Sequence, residues 1–111
     1  MKRELVNLFR THQKRMTGKS AKHVRVSLHS DDLLIIELNG ILTTLEQNVL
    51  QFDLKGTHVR EIRRKLFEQG QERLECELEQ ILHTRIQLLA FDFHPFDEKI
   101  RLVYILDEAT E

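Results

Sequence analysis

The stretch Thr17-Gly18-Lys19-Ser20 has the residue order that ends a phosphate-binding loop, in which backbone amides and a lysine hold phosphate groups. The complete motif needs another glycine five residues before the Gly-Lys pair, directly after a strand. Gln13 stands at that position, inside a segment whose apolar spacing predicts a helix. The sequence therefore excludes a nucleotide-binding loop at this place.

Histidine and acidic residues come close together in sequence at two predicted turns or strand ends. The first group is His29 with Asp31 and Asp32, and the second is Asp92 and His94 with Asp97 or Glu98 across a loop. A metal centre needs three or four ligands in fixed geometry. Neither group has the tight ligand spacing of a metal site, so exposed polar residues are the favoured interpretation. We expect no metal and no cofactor.

The single cysteine, Cys76, lies between Glu75 and Glu77. Negative neighbours disfavour the thiolate, which is the nucleophilic form, so we expect a partly buried structural cysteine. One cysteine cannot form an intrachain disulfide, which fits a reducing, cytosolic setting. The sequence suggests no nucleophile–base pair, and we expect that the protein is not an enzyme.

Two further groups of polar residues have spacings that carry physical meaning. Thr43 and Glu46 have the Thr-x-x-Glu spacing of a capping box at the start of a helix, directly after the turn-forming Asn39-Gly40. The cluster Arg60, Arg63, Arg64 and Lys65 could bind an anion or nucleic acid. Acidic turns follow this cluster and only one aromatic residue accompanies it, so a solvated helix face is favoured and no nucleic-acid partner is expected.

The elements that would position these residues follow from periodicity, caps and turn residues. We predict an α+β fold in the order helix, β-hairpin, short helix, long helix, β-hairpin, with a mostly antiparallel four-stranded sheet and the helices packed on one face. At 111 residues the chain fits a single domain, 1–111. The predicted helices are 3–16, 44–52 and 58–83, the last capped by Thr57, and the predicted strands are 23–29, 33–38, 85–94 and 100–106.

Side-chain patterns also predict which faces are buried. The long helix carries a stripe of Val59, Ile62, Leu66, Leu74, Leu78 and Ile81, with Gly70 on the same line. In the third strand, Leu89, Phe91 and Phe93 share one predicted face and Ile86 and Leu88 the other. A helix of this length would span about 39 Å, against an expected radius of gyration of about 13 Å. The helix must cross the domain, overhang it or pack against another copy, and we expect a homodimer.

Charge is distributed unevenly along the chain. Residues 1–25 hold eight basic side chains and one acidic side chain, whereas the remainder is acidic and the total is −1. We favour contact of this basic segment with the acidic remainder, in the same chain or a second copy, over an anionic partner. No apolar run approaches the length of a transmembrane helix and the N-terminus lacks a signal-peptide core, so a cytoplasmic location is expected. The basic, amphipathic first helix leaves peripheral membrane contact as the less favoured alternative.

Taken together, Gly40-x-Leu42-Thr43-x-x-Glu46, the pair Arg60 and Arg63, and the end Val103-Tyr-Ile-Leu-Asp107 resemble the MpsC family of small bacterial domains. The resemblance extends from about residue 4 to residue 107. The family is named after a sodium-translocating, membrane-potential-generating system whose membrane components are linked to inorganic-carbon uptake. Two departures stand out. The chain has Gly18-Lys19-Ser20-Ala21 where members usually have Gly-Lys/Arg-Gly-Pro, and His83-Thr84 where many have a glycine after the long helix.

The resemblance implies a non-enzymatic accessory or regulatory protein with a membrane-transport partner. It makes Gly18, Lys19, Thr43, Glu46, Arg60 and Arg63 the candidate binding residues. The alternative is a small-ligand or anion-sensing module, with its site between the Leu42–Glu46 corner and the long helix. A ligand bound between helix and sheet would favour the sensor, and a large apolar interface would favour the accessory protein.

Overall fold

A computed structural model describes residues 1–107 of the chain. The predicted order of elements is confirmed, and most bounds agree within a few residues. The elements are α1 (Lys2–Thr17), β1 (His23–His29), β2 (Leu33–Asn39), α2 (Thr44–Val49), α3 (Thr57–Leu82), β3 (Arg85–His94) and β4 (Lys99–Asp107). Helix α2 ends three residues before the predicted bound, and the chain continues in turns. The sequence after β4 predicts a short acidic end at Glu108–Glu111, and these residues lie outside those that the structure describes.

The four strands form one antiparallel sheet in the order β1-β2-β4-β3, so the α+β fold class is confirmed. Each hairpin joins neighbouring strands, and the two hairpins meet where β2 pairs with β4. Strand β2 is therefore a central strand, in agreement with the apolar run Leu33–Ile36 at its start, which is typical of a strand covered on both faces. The order of the strands did not follow from the sequence.

The core lies between one face of this sheet and the helices α1 and α3. Alternate residues of the two central strands point to it, among them Ile36 and Tyr104, which have no exposed surface. They pack with Leu5 and Phe9 of α1 and with Leu74 and Leu78 of α3 in one buried cluster. The period of two in the strands and of three to four in the helices brings these apolar side chains together.

The N-terminal half of α3 differs from the prediction in two ways. Gly56, not Thr57, is the N-cap residue, and no side chain caps the helix from that position. Instead the carboxylate of Asp53 accepts hydrogen bonds from the amides of His58, at 2.9 Å, and Val59, at 3.3 Å. The predicted stripe was also wrong at Ile62, which is 56% exposed, while Arg63 faces the core and is 3% exposed.

A β-bulge in β3 overturns the predicted faces of that strand. The pairing with β4 shifts between Leu88, which faces Tyr104, and Ala90, which faces Val103. The extra residue, Leu89, is 54% exposed and does not share a face with the buried Phe93. Because a bulge adds one residue to one strand, side chains before and after it that differ by an odd number come to the same face. Ile86 and Leu88 therefore face the core together with Phe91 and Phe93.

Helix α1 crosses α3 at Gly70. A Cβ atom at this position would lie 2.9 Å from Cε1 of His12 and 3.1 Å from Sδ of Met16, so any larger residue would have to displace these side-chain ends. The described molecule measures 50 × 22 × 21 Å. Helix α3, about 39 Å long, must therefore run close to the long axis and crosses the whole domain. Its length alone does not require a second copy.

Candidate functional site

The corner between β2 and α2 turns sharply at Gly40, which has φ +67°. A Cβ atom there would lie 2.6 Å from Cγ of Lys22, and the Gly40 amide donates to the carbonyl of Glu98 at 2.9 Å. The turn directs Ile41 and Leu42 into the core, where both are buried. It also places Thr43 at the start of α2, so glycine at residue 40 fixes the geometry of the whole corner.

The predicted capping box at the start of α2 is confirmed. The Thr43 hydroxyl accepts a hydrogen bond from the Glu46 amide at 3.2 Å, and Oε1 of Glu46 accepts one from the Thr43 amide at 2.9 Å. These two bonds satisfy backbone donors that the first turn of a helix would otherwise leave unpaired. A side chain committed to such a cap holds local structure.

Arg63 of α3 reaches this corner and binds the same carboxylate. Its Nε lies 2.5 Å from Oε2 of Glu46, and its Nη2 lies 2.7 Å from Oε1, so the pair is bidentate. Nη2 also donates to the carbonyl of Ile41. The Glu46 side chain is 14% exposed and that of Arg63 is 3% exposed. We call Lys19, Thr43, Glu46 and Arg63 the corner network.

The corner network keeps Glu46 ionised despite its burial. Desolvation on its own would raise the pKa of Glu46, but hydrogen bonds from Arg63 and from the Thr43 amide, together with the attraction of Arg63, hold the pKa below its usual value. The guanidinium carbon of Arg63 also lies 5.8 Å from the ring centre of Phe93, within cation–π range. The pair is thus bound on several sides by its own chain.

Lys19 joins the network from the segment that follows α1. Its Nζ donates to the carbonyl of Leu42 at 3.0 Å. Gly18 does not bind the corner. It ends α1 in the left-handed conformation, with φ +84°, and its amide donates to the carbonyl of Lys14 at 2.8 Å. Gly18 therefore caps the C-terminus of α1, and it sets the direction in which Lys19 leaves the helix.

Arg60, the sixth candidate residue, lies outside the network. It is exposed, and its Nη1 donates to the carbonyl of Lys55 at 3.0 Å. It lines an open groove of about 580 Å³ between α3 and the edge strand β3, a volume within the range of small-molecule sites. The residues that line this groove are Thr57, Arg60, Glu61, Arg64, Phe91, Asp92, Phe93 and His94.

The space between the long helix and the Leu42–Glu46 corner, where a sensor site was expected, is filled by the Arg63–Glu46 pair. Beneath it lies an interior cavity of about 30 Å³ that His12, Gln13, Arg63 and apolar residues line. A volume of this size admits one or two water molecules and is far smaller than a site for an organic ligand. Ligand-sized space is found at the Arg60 groove.

The remaining residues with possible chemical roles lie on the surface or form hydrogen bonds with residues close to them in sequence. Cys76 is exposed, so the expectation that it is partly buried was wrong. Among residues 1–107, no group of three or more His, Cys, Asp or Glu side chains is arranged to hold a metal ion. Thr17, the first residue of the phosphate-loop-like stretch, accepts from the Lys19 amide at 3.2 Å and donates to the carbonyl of Gln13 at 2.9 Å.

The sequence contained a signal for the burial of Arg63. Residues 59, 63, 70, 74 and 78 repeat at the helical spacing of the buried face, and an arginine stands at the second of these positions. A basic residue in line with core positions indicates a buried partner of opposite charge. Glu46, already marked by its capping spacing, is that partner.

Comparison with known families agrees with the earlier resemblance. The family model described as a Na⁺-translocating membrane potential-generating system (MpsC) matches residues 1–108. The chain belongs to the MpsC family. No curated protein and no solved structure gives a significant match. In this MpsC-family chain, three of the residues that mark the resemblance, Thr43, Glu46 and Arg63, form one network in which Arg63 is buried. Another of these residues, Arg60, faces solvent.

Membership links the MpsC-family chain to a membrane-potential-generating system. Within residues 1–107, neither of the longer helices nor the short one has the length and apolar character needed to cross a lipid bilayer. The basic face of α1, including Arg10, Lys14 and Arg15, is exposed. Of the eight basic residues before residue 26, Arg25 alone forms an ion pair within the described chain, with Glu37 at 3.7 Å. The expected contact of the basic segment with acidic residues of its own chain is thus limited to this pair.

Proposed function

We propose that this MpsC-family chain is a non-enzymatic accessory or regulatory subunit of a membrane-potential-generating system. It acts through protein–protein contacts, as a homodimer, on the cytoplasmic side of a membrane-transport partner. The family match supports the link to the system, since the model describes a sodium-translocating, membrane potential-generating assembly. The role of the chain within that assembly is our inference.

The observation that carries the proposal is the closed corner network. A binding or catalytic arginine and carboxylate need free hydrogen-bonding groups that face a ligand-sized space. Here Glu46 is occupied by Arg63 at 2.5 Å and 2.7 Å and by the Thr43 amide at 2.9 Å. Thr43, Glu46 and Arg63, which mark the family, therefore stabilise the corner, and we infer that binding takes place at the surface.

Exposed apolar side chains supply such a surface. Phe52, Leu54 and Phe96 are 76%, 81% and 57% exposed, and they belong to the segments around Gly56, whose Cβ position would lie 3.4 Å from the Phe96 ring. Large apolar side chains exposed to this extent favour protein–protein contact over solvation. They lie at the end of the molecule that contains α2 and the β3–β4 turn.

Peripheral contact with the membrane is a finer part of the proposal. Such contact would rest on the basic face of α1, where Arg10, Lys14 and Arg15 are exposed. Binding to vesicles that contain anionic lipid would then fall when Arg10→Glu and Lys14→Glu are combined. Equal sedimentation of both forms with such vesicles, or none for either, would contradict this part.

The function is tested in cells that carry the complete membrane system. Deletion of the gene for this chain should lower the sodium-dependent membrane potential, which a potentiometric dye reports. Reintroduction of the chain should restore the potential, and the chain should co-purify with a membrane component of the system. An unchanged potential in the deletion strain, together with no co-purification, would contradict an accessory role.

The second candidate, a small-ligand or anion-sensing module, is favoured by the Arg60 groove. The groove combines two arginines one helical turn apart with the partly aromatic wall of β3, and its volume is about 580 Å³. Arg60→Met should then abolish binding of a small anionic ligand while leaving stability unchanged. Isothermal titration with inorganic phosphate and simple carboxylates distinguishes the candidates, because an accessory subunit of the first kind gives no heat in these titrations.

A further inference from the structure

The face of the sheet opposite α1 and α3 is apolar in its centre. Leu33 and Ile35 of β2 and Val103 and Ile105 of β4 point to this face, since they alternate with core residues such as Ile36 and Leu102. All four are partly exposed, and within residues 1–107 none belongs to the buried cluster. An antiparallel sheet with one solvated face normally places polar residues there. We therefore expect another protein surface to pack on these central apolar residues.

The charged residues beside this apolar centre follow a regular pattern. Across the sheet, the register aligns Arg25 with Glu37, Glu37 with Arg101, and Arg101 with Asp92. One row thus reads positive, negative, positive, negative from one edge of the sheet to the other. Within the chain, Glu37 binds Arg101 at 2.6 Å and lies 3.7 Å from both Lys99 and Arg25.

A row of this kind is complementary to its own reversed copy. A two-fold axis parallel to the strands, between β2 and β4, would place the reversed row of a second sheet on the first. Arg25 then faces Asp92 of the other copy, and Glu37 faces its Arg101. The same axis stacks Ile35 on Val103 and Leu33 on Ile105. A two-fold axis perpendicular to the strands, through the row that contains Ile35, would instead place Glu37 of one copy on Leu33 of the other and Arg101 on Ile105. Burial of these charges against apolar side chains would carry a large desolvation cost.

We propose that this open sheet face is the surface on which two copies of the chain associate, sheet on sheet, about a two-fold axis parallel to the central strands. The proposal rests on the homodimer of the proposed function and names its interface. Two sheets that pack face to face align their strands within about 30°, so the rows of the two copies stay in register near the axis. The interface is isologous, as a two-fold dimer requires.

The size of the face predicts a weak dimer. Four strands of seven paired residues cover about 19 Å by about 23 Å, or on the order of 440 Å² in each copy. The sum for both copies, on the order of 900 Å², lies at the low end of specific interfaces. We therefore expect a dissociation constant in the micromolar range, and sedimentation must be measured up to about 200 μM.

Substitution at the centre of the face is the decisive experiment. Ile35→Lys places a charge beside the axis, and sedimentation of the full chain should show dimer affinity reduced roughly tenfold or more. Ile35→Ser, which adds no charge, should weaken the dimer in the same direction and serves if the lysine variant does not fold. Circular dichroism reports the fold of each variant. The matched control is Ile62→Lys, on the outer face of α3, where the residue is 56% exposed; this variant should dimerise as the unmodified chain does.

The edge charges test the direction of the axis. Arg25 and Asp92 lie on opposite edge strands, about 14 Å apart in one copy, so they do not couple within a chain. Arg25→Glu and Asp92→Arg should each weaken the dimer roughly two- to tenfold, and the double variant should recover most of that loss. Additive losses would overturn the proposed axis.

The outcomes separate the interface from the dimer itself. A dimer that survives both Ile35 variants but is lost in Ile62→Lys would overturn the sheet interface and leave the homodimer of the proposed function standing on α3. A monomer at about 200 μM would overturn the homodimer as well. A dimer lost only in the Ile35 variants supports the open sheet face.

Discussion

Removal of the Arg63 side-chain charge should destabilise the fold strongly, because the corner depends on it. In Arg63→Met the carboxylate of Glu46, which is 14% exposed, keeps its capping bonds but loses the cation that lies beside it, and the carbonyl of Ile41 loses a donor. Breaking a buried ion pair at one partner typically costs about 3–5 kcal/mol. A chain of this length has a total stability of about 6–17 kcal/mol.

The loss therefore amounts to a large fraction of the stability of the molecule. At about 4–8 °C per kcal/mol, we expect the melting temperature to fall by at least about 12 °C. Urea unfolding followed by circular dichroism gives the free energy of unfolding directly. The matched control is Arg60→Met on the same helix, which removes an exposed bond to the Lys55 carbonyl and should change stability by less than about 0.5 kcal/mol.

A double-mutant cycle with Glu46→Gln identifies the pair as the cause. The two substitutions should be strongly non-additive, because removal of either charge already breaks the same interaction. The reasoning is refuted if Arg63→Met costs less than about 1 kcal/mol, or if its effect equals that of Arg60→Met. A stable Arg63→Met protein that no longer binds the membrane partner would mean that Arg63 is a binding residue, contrary to our account.

Three further perturbations test other parts of the structure. Thr43→Ala should cost about 1 kcal/mol through the lost cap, without a change in oligomeric state; unchanged stability with lost partner binding would make Thr43 functional. Since the folded pKa of Glu46 is lowered, its contribution should be present above pH about 4.5 and be lost as the pH falls further through the folded pKa, and pH-dependent urea unfolding of the Glu46→Gln variant should show a smaller acid loss. In Gly70→Ala the new methyl group meets His12 at 2.9 Å and Met16 at 3.1 Å, which should cost about 1–3 kcal/mol against a gain in helix propensity of about 1 kcal/mol; we expect a net loss of stability, and a melting temperature above that of the unmodified chain would contradict the close approach.

The helices and strands could be predicted because their caps and their side-chain periodicity depend on residues that are neighbours in sequence. The capping box of Thr43 and Glu46, the left-handed glycine at the end of α1 and the alternation in β1 are all of this kind. The strand order does not depend on such local patterns, because either strand of one hairpin could pair with either strand of the other. The pairing of β2 with β4 joins residues that are far apart in sequence, which local patterns do not specify.

The errors also have physical causes that lie outside the local pattern. Thr57 has the right residue type for a cap, but Asp53 reaches the same amides from the preceding turn and carries a full charge. Hydrogen bonds from these amides hold the pKa of Asp53 below its usual value despite the opposing effect of desolvation. The sequence has no glycine or proline that would indicate the bulge at Leu89. A strict period of two therefore assigned half of the β3 side chains to the wrong face of the sheet.

The candidate site was predicted in part, and the missing part was a contact between distant residues. Glu46 and Arg63 were both identified, but the acidic turns that follow the basic cluster predicted a solvated helix face for Arg63. Residue spacing along a helix distinguishes the buried face from the exposed face only when the buried stripe is assigned to the correct positions. Because Ile62 was assigned to that stripe, the predicted buried face was displaced by one residue, and Arg63 was predicted to face solvent, away from the corner.

The departure from the family pattern at Ser20-Ala21 bears on this corner. Members usually have Gly-Pro at these two positions, and proline restricts the backbone of such a segment. In this chain Ala21 is buried, and Lys19, one residue before Ser20, binds the Leu42 carbonyl at 3.0 Å. The Lys22 amide, one residue after Ala21, binds the Asn39 carbonyl at 2.8 Å. Bonds on both sides of the pair therefore hold the segment against the β2–α2 corner without the proline.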